Sequence, residues 1–209
     1  MTAKFKKWIF IFCFVTLSHV SYAQRTENDY YKNGALKSSG ILENGTKSGT
    51  WKFYYPNGKL SSEENYHEDL LDGEVKYFDE HGKLIANENW SAGIQEDSSF
   101  YFFSNGNIEK KGIFIDGLYE GKWFFYYDNG VVKRTGYYQD GLPHGNWNFY
   151  NENKILIQEG NYENGKEQGE WKFYTKHGIL EFYGSYSNGE KTGKWFRVNK
   201  KGRTKLLKY

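Results

Sequence analysis

Large apolar side chains return with a period of 24 residues from about residue 30 to the end of the chain. The clearest unit opens with residues 49–60, GTWKFYYPNGKL, and a partial unit precedes it from about residue 30. Further units begin, without insertion or deletion, at residues 73, 97, 121, 145, 169 and 193. A spacing that admits no slippage indicates that each unit packs directly on the next, as in a repeat array.

Each unit contains two short runs of aromatic and β-branched residues separated by Asn-Gly or a similar pair, a pattern typical of a β-hairpin. Pro56 favours a three-residue loop, because proline has no N–H to donate in the two-residue alternative. In that loop the glycine that follows Asn57 takes the left-handed conformation. The turn glycines predicted in this way are Gly58, Gly82, Gly106, Gly130, Gly178 and Gly202. Lys154 holds the position in one unit, where left-handed geometry costs about 1–2 kcal/mol unless Asn153 adopts it instead.

A second series of glycines predicts the turns that join one hairpin to the next. Its members are Gly45, Gly93, Gly117, Gly141, Gly165 and Gly189. The sequence therefore predicts an all-β fold, an elongated single-layer antiparallel sheet of tandem 24-residue β-hairpins.

Strand alternation predicts two faces with different roles. With a one-residue bulge at Gly58, we expect Tyr54, Leu60 and Tyr66 on one face, which recurs without exception and is predicted to be the structural one. The other face carries Trp51 and Phe53, and its tryptophan position is held by smaller residues in two units, Val75 and Ser99. This face is therefore predicted to be the adaptable one. Its candidate partner-binding residues are Trp51, Trp123, Trp147, Trp171 and Trp195.

The repeated unit resembles the MORN repeat, in particular the bacterial variant found in YwqK-type antitoxin proteins. Residues 121–144, GKWFFYYDNGVVKRTGYYQDGLPH, carry the pattern most fully. The resemblance implies a ribbon of antiparallel hairpins that serves in binding or scaffolding, with protein or lipid partners. The antitoxin name implies neutralisation of a partner toxin.

The first 23 residues have the layout of a secretory signal peptide. Lys4, Lys6 and Lys7 precede the apolar run 8–17, and Ser21-Tyr22-Ala23 supplies small residues at the cleavage site before Gln24. We therefore expect a single repeat domain, residues 24–209, that is periplasmic or secreted in a bacterium and has no transmembrane span. Removing the leader lowers Lys plus Arg from 28 to 25 against 26 acidic residues, a net charge of −1. This balance argues against nucleic-acid binding.

Candidate catalytic and metal-binding chemistry is sparse. His81 and His177 occupy the turn position of Asn57, and no histidine lies at metal-ligand spacing from a carboxylate. Glutamates such as Glu159 and Glu181 fall at ordinary strand positions. We therefore predict no enzyme activity, no metal and no cofactor.

The sequence thus favours a protein-interaction scaffold at the cell envelope. One alternative is a cell-wall or glycan-binding module whose column of tryptophans stacks on sugar rings. A further alternative is a YwqK-type antitoxin that binds a toxin. The identity of the partner, the face that binds it and the oligomeric state stay open.

Overall fold

The computed structural model describes residues 23–207, so the predicted signal peptide lies outside the described residues apart from Ala23. Seventeen β-strands and no helix occur in this range. The strands are β1 Gln24–Tyr30, β2 Leu36–Glu43, β3 Thr46–Tyr54, β4 Leu60–His67, β5 Leu70–Phe78, β6 Leu84–Ser91, β7 Ile94–Gln95, β8 Asp97–Phe102, β9 Ile108–Ile115, β10 Leu118–Tyr126, β11 Val132–Gln139, β12 Leu142–Tyr150, β13 Leu156–Glu163, β14 Lys166–Tyr174, β15 Leu180–Ser187, β16 Glu190–Val198 and β17 Thr204–Leu206.

All of these strands belong to one open antiparallel sheet in which strand order follows chain order. The exception lies at β7 and β8, which both pair with β6 because Asp97, at a φ of 60°, interrupts what would be one strand. Within the described residues, β1 and β17 are the sheet edges. The predicted all-β fold of tandem hairpins in a single layer is confirmed.

The loop inside each hairpin has the three-residue form expected from Pro56. The Tyr55 N–H donates to the Lys59 carbonyl and the Gly58 N–H donates to the Tyr55 carbonyl, both at 2.8 Å. Gly58 has a φ of 82°, in the left-handed region that the bulged turn requires. In the one unit without glycine, Lys154 itself adopts a φ of 62°. The backbone of that unit is therefore the same, at a conformational cost borne by lysine.

The turns that join successive hairpins are two-residue turns with positive φ at both central residues. Asp116 and Gly117, for example, have φ values of 52° and 74°. This is the type I′ turn, whose twist matches the right-handed twist of the flanking strands. Asp, Asn and Gly hold most of these positions, with Glu68 and Ala92 as exceptions, and the turns set the register between hairpins.

The assignment of residues to faces differs from the prediction. Trp51 lies opposite Glu64 and Gly49 lies opposite Tyr66, and residues that oppose each other across a strand pair share a face. Tyr66 is therefore on the tryptophan face, whereas Tyr54 and Leu60 oppose each other on the other face. The grouping of Tyr66 with Leu60 was wrong because the bulge lies inside the β4 pairing and shifts the alternation along that strand.

The relative importance of the faces was also predicted wrongly. The buried hydrophobic residues include every tryptophan of the repeat column, and Trp123 has no exposed surface. Leu60 and its equivalents are only half-buried. The tryptophan face is therefore the hydrophobic core of the sheet.

Candidate functional site

Each tryptophan of the column lies flat against a glycine of the preceding strand. A methyl group added at Gly136 would overlap the indole ring of Trp147, and the same holds in four other units. The pairs are Gly40 with Trp51, Gly112 with Trp123, Gly136 with Trp147, Gly160 with Trp171 and Gly184 with Trp195. The glycine therefore provides the space in which the ring is buried.

The polar end of each indole is satisfied at the same point. Trp147 Nε1 donates to the carbonyl of Tyr137 at 3.1 Å, where a bulge interrupts the pairing of β11 with β12 between Thr135 and Tyr137. Gly145, two residues before Trp147, has a φ of 66° and permits the irregularity. This geometry gives a physical reason for the repeated Gly-x-Trp motif, because a buried N–H without an acceptor would be costly.

Aromatic rings from the neighbouring strands enclose each indole. Phe149 stacks on Trp147 with ring centroids 6.0 Å apart, and Tyr138 and Tyr162 meet it edge-on at 5.2 and 5.6 Å. The tryptophans predicted to bind a partner are thus enclosed by their own neighbours. The structure gives them a packing role and does not offer their ring faces to solvent.

In two units the column is interrupted by a polar row, which consists of Glu64, Glu88 and Ser99. Glu64 and Glu88 occupy the glycine position, and they oppose Val75 from both sides across β5. Val75 and, in the next unit, Ser99 occupy the tryptophan position, and both are fully buried. A glutamate side chain fills the space that an indole would need, so a larger residue at one position requires a smaller one at the other.

Neutral groups bind the two carboxylates. Ser62 Oγ donates to Glu64 at 2.6 Å, and the Tyr66 hydroxyl also donates to this carboxylate. Glu88, which is only 8% exposed, accepts hydrogen bonds from Trp90 Nε1 at 3.1 Å and from the Tyr101 hydroxyl at 2.8 Å. Among residues 23–207 neither glutamate forms an ion pair.

The same environment raises the pKa of the neighbouring phenols. Burial, followed by the charges of Glu64 and Glu88, raises the pKa of Tyr77 to about 12. Burial and the hydrogen bond to Glu64 raise the pKa of Tyr66 well above its usual range. Both phenols therefore keep their protons at neutral pH, and that of Tyr66 donates its hydrogen bond to Glu64.

The opposite face carries an exposed line of aliphatic side chains, which we call the aliphatic row. Each member is the first residue after a joining turn and leaves 47–49% of its surface exposed. The members are Leu70, Ile94, Leu118 and Leu142. Each approaches the glycine of the next joining turn, as Leu118 approaches Gly141, so the row is continuous from unit to unit.

Other apolar residues widen the row at its centre. Ile115 opposes Leu118 across the strand pair and is half exposed, and Ile113 and Tyr137 also expose large parts of their side chains. Ile115, Leu118, Tyr137 and His144 line a shallow depression of about 520 Å³. Sequence reasoning missed this surface, although the recurrence of Leu or Ile directly after four joining turns was visible.

Negative charge accompanies the aliphatic row. The four segments that carry it, residues 67–72, 91–97, 115–120 and 139–144, contain eight Asp or Glu residues and no Lys or Arg. The corresponding turns in flanking units each contain a lysine, namely Lys47, Lys166 and Lys191. The four segments of the row therefore differ from the flanking turns in having no basic residue.

A family model described as MORN repeat variant matches four stretches, residues 47–68, 71–91, 119–140 and 143–164. Their starting points differ by 24 residues or multiples of 24, in phase with the strands described above. These four units are similar to MORN repeats. MORN repeats are generally protein- or membrane-interaction repeats. A search of curated proteins found no match to the chain.

The repeat units bring no metal-ligand set together in residues 23–207, where no group of three or more His, Cys, Asp or Glu residues has suitable geometry. His81 lies in a hairpin loop, where its backbone N–H donates to Asp79 Oδ1 at 2.9 Å. In the same range no helix has the length and apolar character needed to cross a membrane.

Proposed function

We propose that this MORN-repeat protein is an exported, non-enzymatic scaffold that binds a protein partner at the cell envelope. The observation that carries the proposal is the aliphatic row. The core of the sheet lies on the tryptophan face, so internal packing does not account for aliphatic residues that remain half exposed in four consecutive units. Exposed apolar surface of this kind, bordered by polar residues, is typical of interaction sites.

The chemistry around the row favours a protein over a membrane or a glycan. Eight acidic residues would be repelled by the anionic lipids of a membrane surface. Sugar stacking would need exposed aromatic faces, and the ring faces of Trp123 and Trp147 are buried. Export is supported by the basic and apolar residues that precede Gln24 and by the lack of any cysteine after Cys13.

The partner-binding part of the proposal is tested by affinity capture from envelope extracts with the full chain. We expect Leu118→Ser with Leu142→Ser to abolish capture of proteins that the unmodified chain retains. Ile179→Ser is the matched control, because Ile179 is 58% exposed but lies in a hairpin loop away from the row. Equal capture by all three proteins would contradict the proposal. A toxin among the row-dependent proteins would support the antitoxin alternative.

Export is tested separately by intact-mass analysis of the protein produced in its native cells. We expect the mature chain to begin at Gln24. A chain that keeps Met1 would contradict an envelope location without bearing on the binding surface.

A further inference from the structure

We infer that the partner segment is a basic amphipathic helix that lies along the aliphatic row and contributes about one heptad to each MORN unit. The inference rests on the proposed function, because it names the class of partner that the row would bind. It is carried by the spacing of the row, by the charge around it and by the positions at which it ends.

The spacing of the row matches a helix. Each unit contributes two strands about 4.8 Å apart, so successive row residues are about 10 Å apart across the sheet. Seven residues of an α-helix rise about 10.5 Å, so residues one heptad apart on one helical face would meet successive members. The row from Leu70 to Leu142 spans three such intervals, which corresponds to a helix of about 20 residues.

An extended peptide fits the same spacing poorly. About three residues of a β-strand cover 10 Å, and side chains alternate between faces with a period of two. Every second contact of an extended segment would therefore point away from the row. The repeat distance favours a helix running across the strands.

The charge of the row specifies the polar part of that helix. None of the eight acidic residues in the four row segments forms an ion pair within residues 23–207. Glu96 and Glu120 accept the backbone N–H groups of Asp116 and Asp140, at 2.9 and 3.0 Å, which fixes these carboxylates beside the joining turns. Lysine or arginine on both sides of the apolar stripe would complement them.

The residues at the two ends of the aliphatic row limit the length of helix that can bind there. The position of Leu118 in the joining turn is held by Thr46 in the unit before the row and by Lys166 in the unit after it. An apolar helix face would lose its contacts there, and its basic residues would meet lysines. A second copy of this chain is a poor occupant, because it would place acidic turns against acidic turns.

The experiment uses the full chain and a synthetic probe, a peptide of about 21 residues with leucine at the first and fourth positions of each heptad and lysine beside them. Three matched peptides have glutamate in place of lysine, the same composition in scrambled order, or proline at the centre. Binding is measured by fluorescence anisotropy and helix formation by circular dichroism. We expect the lysine peptide to bind as a helix and the other three to bind at least about tenfold more weakly.

Variants of the protein locate the site. Leu118→Ser with Leu142→Ser should weaken binding of the lysine peptide by at least about tenfold, whereas Ile179→Ser should leave it unchanged. Asp116→Lys with Asp140→Lys should weaken binding of the lysine peptide and strengthen binding of the glutamate peptide. Equal binding of the scrambled peptide, or equal loss in Ile179→Ser, would overturn the inference.

The outcome also separates the inference from the proposed function. If the row variants lose their captured partners but the helical peptide does not bind, the scaffold stands and the helix is rejected. If the row variants keep their partners, both are rejected. Row-dependent binding to neutral phospholipid vesicles without peptide binding would replace the helix with a membrane surface.

Discussion

The column of tryptophans and the polar row that interrupts it are two solutions to the same packing problem in one sheet. From Gly112 to Trp195 the position that packs against each tryptophan ring holds glycine. Between Glu64 and Ser99 the glycine position holds glutamate, and the tryptophan position holds the smaller Val75 or Ser99. The comparison shows that the two positions are coupled, because the volume at one fixes the volume allowed at the other.

A buried tryptophan and a buried glutamate require different neighbouring groups. An indole needs one acceptor for its N–H and otherwise only apolar rings. A buried carboxylate needs several donors, because removing it from water is costly. The phenols of Tyr66 and Tyr101 and the indole N–H of Trp90 supply them. The polar row is therefore a local network rather than a defect in the repeat.

The largest effect is expected when glutamate replaces a glycine that packs against a tryptophan ring. Gly136→Glu would force a charged side chain into the space of the Trp147 ring, and because steric overlap adds to the burial of an unpaired charge it should lower the free energy of unfolding by more than about 5 kcal/mol. Adding Trp147→Val, which recreates the Glu64–Val75 arrangement, should recover part of this loss. Denaturant melts of both single variants and the double variant measure the coupling. Additive losses would contradict it.

The core role of the tryptophan face predicts the next largest effect. Trp123→Ala removes a fully buried ring and should cost about 3–5 kcal/mol. Leu118→Ala, in the same strand but on the exposed row, should cost less than about 0.5 kcal/mol. Thermal melts compare the two. Similar melting temperatures for both variants would mean that the row contributes to the core.

The polar row should make the sheet sensitive to alkali. The pKa of Tyr77 is raised to about 12, first by burial and then by Glu64 and Glu88. Unfolded tyrosines titrate near about 10, so the folded state holds the proton more tightly. This contribution to stability is complete below about pH 10 and is lost as the pH rises toward about 12.

A charge substitution tests that explanation. Glu88→Gln removes one of the two charges and should move the rise in phenolate absorbance to lower pH. Glu109→Gln, on an exposed part of β9, is the control and should leave the titration unchanged. Identical titration curves for the two variants would show that the carboxylate of Glu88 does not influence the phenols.

The smallest expected effect concerns the turn that departs from the repeat. Lys154→Gly should raise the free energy of unfolding by about 0.5–1 kcal/mol, because glycine adopts the φ of 62° without strain. The reverse change at the equivalent position, Gly130→Lys, should lower it by a similar amount. Equal stabilities would show that these loops relax to another conformation.

The sequence allowed much of the fold to be predicted, because turn chemistry is local. Pro56, Gly58 and the glycines of the joining turns each restrict their own backbone, so hairpins and their period could be derived. The faces could not be assigned in the same way. One unpaired residue in the bulge near Leu60 shifts the alternation, and a shift of one residue exchanges the two faces of a strand.

The candidate site was harder to predict for a related reason. Val75 and Ser99 looked like failures of the tryptophan pattern, which suggested a tolerant surface. Their meaning depends on Glu64 and Glu88, each of which lies 11 residues earlier in the chain, and Glu64 lies directly across the strands from Val75. The aliphatic row was overlooked because a single exposed leucine is unremarkable, and only the strand pairing places four of them in line.

Strand order in the sheet has a consequence for how the molecule is made. Within the described residues each strand pairs with its neighbours along the chain, except that β8 pairs with β6 past the short β7, so every contact that builds the sheet is local in sequence. Local contacts favour rapid folding. A chain that leaves a ribosome or a translocation channel end first can therefore complete each hairpin on the one before it. At every stage the emerged portion is a shorter version of the finished sheet, with one growing edge.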